Sequence, residues 1–167
     1  MDSGDIIAQE KILVEAHDNY ETLSNKLFLL GEKLLLNNIQ KYIDKKITPK
    51  KQNESLATFS KIIEKNNGMI NWSDSAKKIN SQIKAYYKWP NSFTKLNNQI
   101  LKIKSAEVEN TNSDKKIGEV FIMNKKIAIQ CGNGLLYPQT IQLEGKKETN
   151  INSFVNGYKG FVGSILN

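Results

Sequence analysis

A chain of 167 residues that is 39% hydrophobic and 25% charged, with a formal net charge of +7, can bury a real core as one medium domain or two small ones. It has no apolar run of membrane-spanning length and no basic-then-apolar leader, so a soluble, cytoplasmic protein is expected. A lone cysteine, Cys131, and a lone histidine, His17, exclude an internal disulfide framework and a multi-histidine or cysteine metal site, and metal catalysis is not expected.

Residues 6–14 are rich in Ile, Leu and Val with loose alternation, which predicts a strand. Asp18-Asn19-Tyr20-Glu21 has the form of a capping box, and Leu23, Leu27, Leu30 and Leu34 follow at helical spacing, predicting a helix over about 21–43. Phe28, Leu35 and Ile39 widen its apolar surface beyond one stripe, so packing on more than one neighbour is expected. Residues 45–55 are polar, aperiodic and contain Pro49, as a linker does. An apolar patch at 59–63 and the turn Asn66-Asn67-Gly68 come next. Ser73 is placed to cap a second helix that buries Ala76, Ile79, Ile83 and Tyr86, with Lys77, Lys84 and Lys88 opposite, and Trp89-Pro90 ends it. Tyr86, Trp89 and Phe93 read as core where this helix meets the next, strand-like region, so base stacking gains little support from the sequence.

From residue 92 the pattern changes to alternating runs at 93–96, 100–108, 118–123, 127–131 and 135–143, separated by turn residues at Asn97-Asn98, Asn124-Lys125-Lys126 and Gly132-Asn133-Gly134. Five strands at this spacing describe a small antiparallel barrel of the oligonucleotide-binding (OB) kind or a sandwich, with a short helix at 153–158.

Charge is unevenly spread. Residues 1–66 are neutral overall, whereas residues 67–167 carry 14 Lys against 7 Asp/Glu. Such asymmetry is the footprint of a module that meets a polyanion. Every basic residue is lysine, which suits phosphate contact better than bidentate reading of guanine. An AT-rich genome would also favour lysine over arginine, but it would not concentrate the charge in one part. Lys115-Lys116, Lys125-Lys126 and Lys146-Lys147 lie at strand ends, where they can form a basic margin or simply solubilise hairpins. Gly132-x-Gly134 reads as a turn and not as a dinucleotide fingerprint, since strand-like sequence comes after it. Cys131 reads as a core or strand-end thiol, His17 as a loop residue, and no Ser/His/Asp arrangement is present.

Several segments in chain order resemble methionyl-tRNA formyltransferases. Asp2-Ser3-Gly4-Asp5-Ile6 is similar to the family's Leu-Asp-x-Gly-Asp-Ile loop. Ala57-Thr58-Phe59-Ser60-Lys61-Ile62 resembles its Ala-Thr-Tyr-Ala-x-Lys-Ile segment, and Gly68-Met69-Ile70-Asn71-Trp72-Ser73 its Gly-x-Ile-Asp-Trp-Ser. Ile83-Lys84-Ala85-Tyr86-Tyr87-Lys88-Trp89-Pro90 resembles its Ile-Arg-Ala-x-x-Pro-Trp-Pro, and Leu143-Glu144-Gly145-Lys146-Lys147 its Gln-Pro-x-Gly-Lys-Lys. The resemblance spans essentially the whole chain. It implies an α+β chain: residues 1–46 as the last strand and helix of a Rossmann-like formyltransferase domain, 47–66 as linker, and 67–167 as an OB-like antiparallel β-barrel with a flanking helix.

The resemblance further implies an enzyme that formylates the amino group of methionyl initiator tRNA from 10-formyltetrahydrofolate in translation initiation. Asp2 matches the catalytic aspartate that supports a histidine of an Asn-x-His motif; this chain contains no Asn-x-His, so by itself it is expected to bind no folate and to be inactive. Lys61 and the Lys146-Lys147 pair are implied tRNA contacts by motif match. Lys84 stands where the family has arginine, and Lys88 where it has proline. Lys84, on the helix, is an implied tRNA contact that keeps the charge of that arginine, and Lys77, Lys88, Lys125 and Lys126 are added as tRNA contacts from charge placement. Two other readings stand beside this one: a non-catalytic, stand-alone tRNA- or RNA-binding module, and a portion that associates with a separately encoded N-terminal catalytic half through the Leu23 to Leu34 surface.

Overall fold

The structure, a computed structural model, describes residues 3–167. Asp2, the residue matched to a catalytic aspartate, lies outside the described residues. Contacts divide the chain between Ile62 and Ile63 into two units.

In the first unit the expected strand at 6–14 is not formed. Ile6 alone makes a bridge, exchanging N–H···O bonds of 2.9 and 2.8 Å with Lys50, and residues 7–14 run without a ladder. A strand needs a neighbour for its backbone groups, and among the described residues only Lys50 supplies one. The helix is present as α1, Tyr20–Ile43. Its cap is shifted by one residue from the predicted box: Asn19 Oδ1 accepts from the N–H groups of Glu21 and Thr22, and Thr22 Oγ1 accepts from Asn19 N–H. Asp18 instead accepts from Lys26 Nζ, Glu15 N–H and Thr22 Oγ1. Lys26 first, then the Glu15 amide, holds the Asp18 carboxyl down at about 2. None of the 24 residues of α1 is buried; Phe28 is 78% exposed and Leu36 67%.

The second unit holds the core. Helix α2 (Ala76–Ala85) is capped by Ser75, whose side chain accepts from Lys78 N–H, and not by Ser73. Ala76, Ile79 and Ile83 are buried as expected, together with Asn80, while Tyr86 is the half-buried residue that ends the helix. The strands are β1 (Ser92–Leu96), β2 (Gln99–Glu109), β3 (Val120–Met123), β4 (Lys126–Gln130), β5 (Leu135–Leu143) and the short β6 (Thr149–Asn150), followed by α3 (Ile151–Gly157). They form one antiparallel sheet in the order β1-β2-β5-β4-β3, with β6 on β5. Asn97-Asn98 and Asn124-Lys125 all have positive φ, the conformation that tight hairpins demand and asparagine tolerates.

The expected barrel does not close by strand pairing. β1 and β3 do not pair, and the C-terminal segment bonds to both sides. Gly163 N–H donates to Val120 O and Leu166 N–H to Gly118 O on one side, while Lys95 N–H donates to Asn167 O on the other. Inside lie Ile79, Ile83, Leu101, Ile103, Ile129, Leu136, Ile141 and Phe161, one continuous apolar core. Trp72 joins it with its indole N–H donating to Thr94 Oγ1 at 3.0 Å. A smaller cluster on the other face of the sheet holds Ala128, Leu135 and Tyr137.

Candidate nucleic-acid interface

Alternation along β2 breaks between Ile103 and Ser105, where β2 advances two residues against one step of β5, so Lys104 is the extra residue of a bulge. The bulge redirects its side chain. Lys104 Nζ lies 2.6 Å from Asn91 Oδ1, 3.3 Å from Tyr87 O and 3.2 Å from Glu148 Oε1, and 5.4 Å from the centroid of the Tyr87 ring. Its side chain is 14% exposed. One half-buried cation thus ties together the turn that follows α2 and the β5–β6 loop, two segments separated by more than fifty residues.

Three of the lysines singled out from sequence, Lys88, Lys146 and Lys147, sit on these two segments, and Lys84 precedes the first of them. Lys84, half-buried, is in the last turn of α2, and Lys88 is exposed in the turn beyond it. Lys146 and Lys147 are exposed in the β5–β6 loop and line a cleft of about 260 Å³ with Phe154 and Tyr158, whose rings stack at 5.2 Å. Carboxylates on the loop are occupied within the protein: Glu144 accepts from Ile100 N–H at 3.1 Å, and Glu148 pairs with Lys104. The rim formed by these two segments carries Lys88, Lys146 and Lys147, with Lys104 tied beneath it, against Glu144 and Glu148.

Lys77 lies seven residues before Lys84 on one stripe of α2, flanking the buried face; Lys78 occupies the opposite face and pairs with Asp74 at 2.8 Å. Lys125 and Lys126 are not part of the rim. Lys126 Nζ lies 3.5 Å from Glu107 Oε2 and 5.9 Å from the Tyr137 ring, and Tyr137 is paired in register with Glu107, six residues before Leu143. This second cleft, also of about 260 Å³, contains Glu107 and Glu109 and is mixed in charge. Burial, with the Glu109 carboxylate accepting from the hydroxyl at 2.7 Å, pushes Tyr137 up to about 12. Lys61 is exposed in an irregular stretch of the first unit.

Two participants escaped the sequence reading. Trp89, where the sequence predicts core, is 58% exposed, whereas Phe93 is buried as expected. Trp89 lies beyond the helix, so helical periodicity carries no information about its burial; only the Pro90 after it marked an irregular turn. Lys104 sat in an alternating run and had no signal at all, because a bulge is set by the partner strand. Cys131 is buried, its thiol pushed up to about 12 by burial, and is a core residue.

Residues 62–159 match the family described as "Formyl transferase, C-terminal domain". Methionyl-tRNA formyltransferase of Clostridium novyi (strain NT) is 30% identical over 167 residues, 99% of this chain and 54% of the relative. That of Caldicellulosiruptor saccharolyticus is 35% identical over 169 residues, and that of Rickettsia massiliae 36% over 166, with the same shares. The chain therefore spans about half the length of the curated relatives it matches. Among solved structures, a HypX variant from Aquifex aeolicus superposes with a TM-score of 0.67 at 15% identity, covering 96% of this chain and 29% of that one. An N-formyltransferase from Helicobacter canadensis, solved with folinic acid and dTDP-3-aminofucose, gives 0.60 at 24% identity over 83% of this chain and 51% of that one. At these identities the structural likeness is one of fold.

Proposed function

The chain belongs to the formyltransferase family, through its C-terminal domain, and from that premise we propose that it is the C-terminal portion of a methionyl-tRNA formyltransferase whose task is to hold initiator tRNA in the cytoplasm. The complete enzyme would move a formyl group from 10-formyltetrahydrofolate to the methionyl amine. In this reading residues 1–46 complete a catalytic domain, 47–66 link, and 67–167 bind the tRNA backbone. The apolar, unburied surface of α1 supports the first part, since such a helix is stabilised by covering it.

The residues of this chain do not fit the formyl donor. Formyl transfer passes through a tetrahedral oxyanion that needs positioned donors, and the only histidine, His17, is exposed beside Glu15 Oε2 at 3.2 Å with no Asn-x-His around it. No chemical step is therefore assigned to this chain.

The observation that supports the tRNA reading is the tie made by Lys104 between the turn that carries Lys88 and the loop that carries Lys146 and Lys147, with Glu148 paired to Lys104 and Glu144 accepting from Ile100 N–H. Lysines placed this way act on phosphates as point charges, giving affinity that falls steeply with salt. Titration of initiator tRNA against Lys88→Ala/Lys147→Ala is expected to weaken binding at moderate salt by about tenfold and to lower the salt slope by about 2. Lys78→Ala, whose amine pairs with Asp74 on the far side of α2, is expected to bind as the parent does. Unchanged affinity and slope in the double variant would refute the rim as the tRNA contact.

A further inference from the structure

We infer that Trp89 is a stacking platform for an unpaired RNA base, with Lys88 and the lysines of the β5–β6 loop taking the phosphates beside it; this rests on the tRNA reading above and adds the kind of nucleotide that is recognised. A single exposed apolar residue carries no meaning by itself. Two features of its setting do.

The first is rigidity. Asn91, at φ +68, closes the turn: its N–H donates to Tyr86 O at 3.0 Å and its side-chain amide to Lys88 O at 3.0 Å, while its Oδ1 accepts from Lys104 at 2.6 Å. Pro90 is buried. The backbone is thus fixed on both sides of Trp89 while the indole stays 58% exposed. An aromatic held in this way loses little entropy when a base covers it.

The second is charge. Between Asp74 and Glu107 the sequence contains seven lysines and no carboxylate, and Glu148, the carboxylate that reaches this turn's Lys104, is paired with it at 3.2 Å. A planar aromatic face among cations matches the alternation of base and phosphate in a single strand. In a duplex the bases are already stacked on each other, so only unpaired nucleotides can use the platform.

Intrinsic fluorescence tests this directly, because the other tryptophan, Trp72, is 5% exposed with its N–H bonded to Thr94. A single-stranded oligoadenylate of about eight nucleotides is titrated into the full chain, with a blunt RNA duplex of equal length as the comparison. Quenching by the single strand and not by the duplex is expected. Trp89→Ala should weaken oligoadenylate binding about tenfold, and Trp89→Phe, which keeps an aromatic face, by no more than about threefold. Thermal midpoints of both variants, measured alongside, should match the parent because the indole is exposed. Equal quenching by the duplex, or parent-like oligoadenylate affinity in Trp89→Ala, overturns the stacking role. If tRNA affinity still falls in Lys88→Ala/Lys147→Ala, the tRNA reading survives that loss. Salt-insensitive or absent tRNA binding by the parent defeats both.

Discussion

Gly132 sits where the β4–β5 connection runs against the segment before α2, donating its N–H to Trp72 O at 2.8 Å and Asp74 O at 3.0 Å. A Cβ there would be driven into the backbone carbonyl of Ser73, which cannot move without breaking those bonds. Gly145 differs: its φ is +72, but a Cβ would meet nothing within 4 Å. Close approach and left-handed backbone are distinct reasons for glycine, and they carry different costs. Gly132→Ala is expected to destabilise the second unit by about 3 kcal/mol and Gly145→Ala by about 1 kcal/mol, as read from urea midpoints. Equal losses would mean that the Ser73 contact is not tight. The sequence identified the Gly132 to Gly134 stretch as a turn, but not that Gly132 meets Ser73, 59 positions away, and Gly134 meets Glu109 O. Trp89 behaves the same way: its identity is local, its exposure is not.

At the scale of elements, α1 and β5 are opposites. α1 has 24 residues, a complete cap and no buried side chain. β5 is paired with β2, β4 and β6, and Leu135, Leu136 and Ile141 are fully buried. A helix without tertiary packing opens at little cost, however well it is capped. Hydrogen exchange should therefore find α1 amides protected by less than about a thousandfold and the β5 amides near the global limit. Equal protection in both would show that α1 is covered in solution, by a second copy or another protein. The strand expected at 6–14 failed for a related reason. Its Ile, Leu and Val content describes what a strand prefers, while the ladder itself needs a partner that the described residues do not provide.

For the molecule as a whole, stability is concentrated in one unit. Among the described residues, the buried hydrophobic side chains all fall between Ile70 and Leu166. A chain lacking residues 1–62 should keep its thermal midpoint within about 3 °C of the full chain, as followed by circular dichroism at 222 nm after scaling for the lost helix. A large drop would mean that the first unit stabilises the second. Net charge obeys the same division, since the excess of lysine lies in residues 67–167.

Sequence by itself determined what depends on neighbours in the chain. It held the alternation that made β1 to β5, the Asn-rich turns between them, the α2 stripe of Ala76, Ile79 and Ile83, the lysine excess, and the ordered motifs that resemble the family. Each is a local pattern or a composition, and the physics that produces it acts over a few residues. Tertiary structure alone decided the rest. The C-terminal segment bonds to Val120 and Gly118 on one side and Lys95 on the other, where β1 and β3 do not pair, and those partners lie 43 or more positions from it in the chain. The bulge sends Lys104 to Asn91, Tyr87 and Glu148 because β2 and β5 slip against each other. That contact, not any motif, ties the post-helix turn to the β5–β6 loop, since hydrogen bonds between distant segments outweigh the propensities of either one.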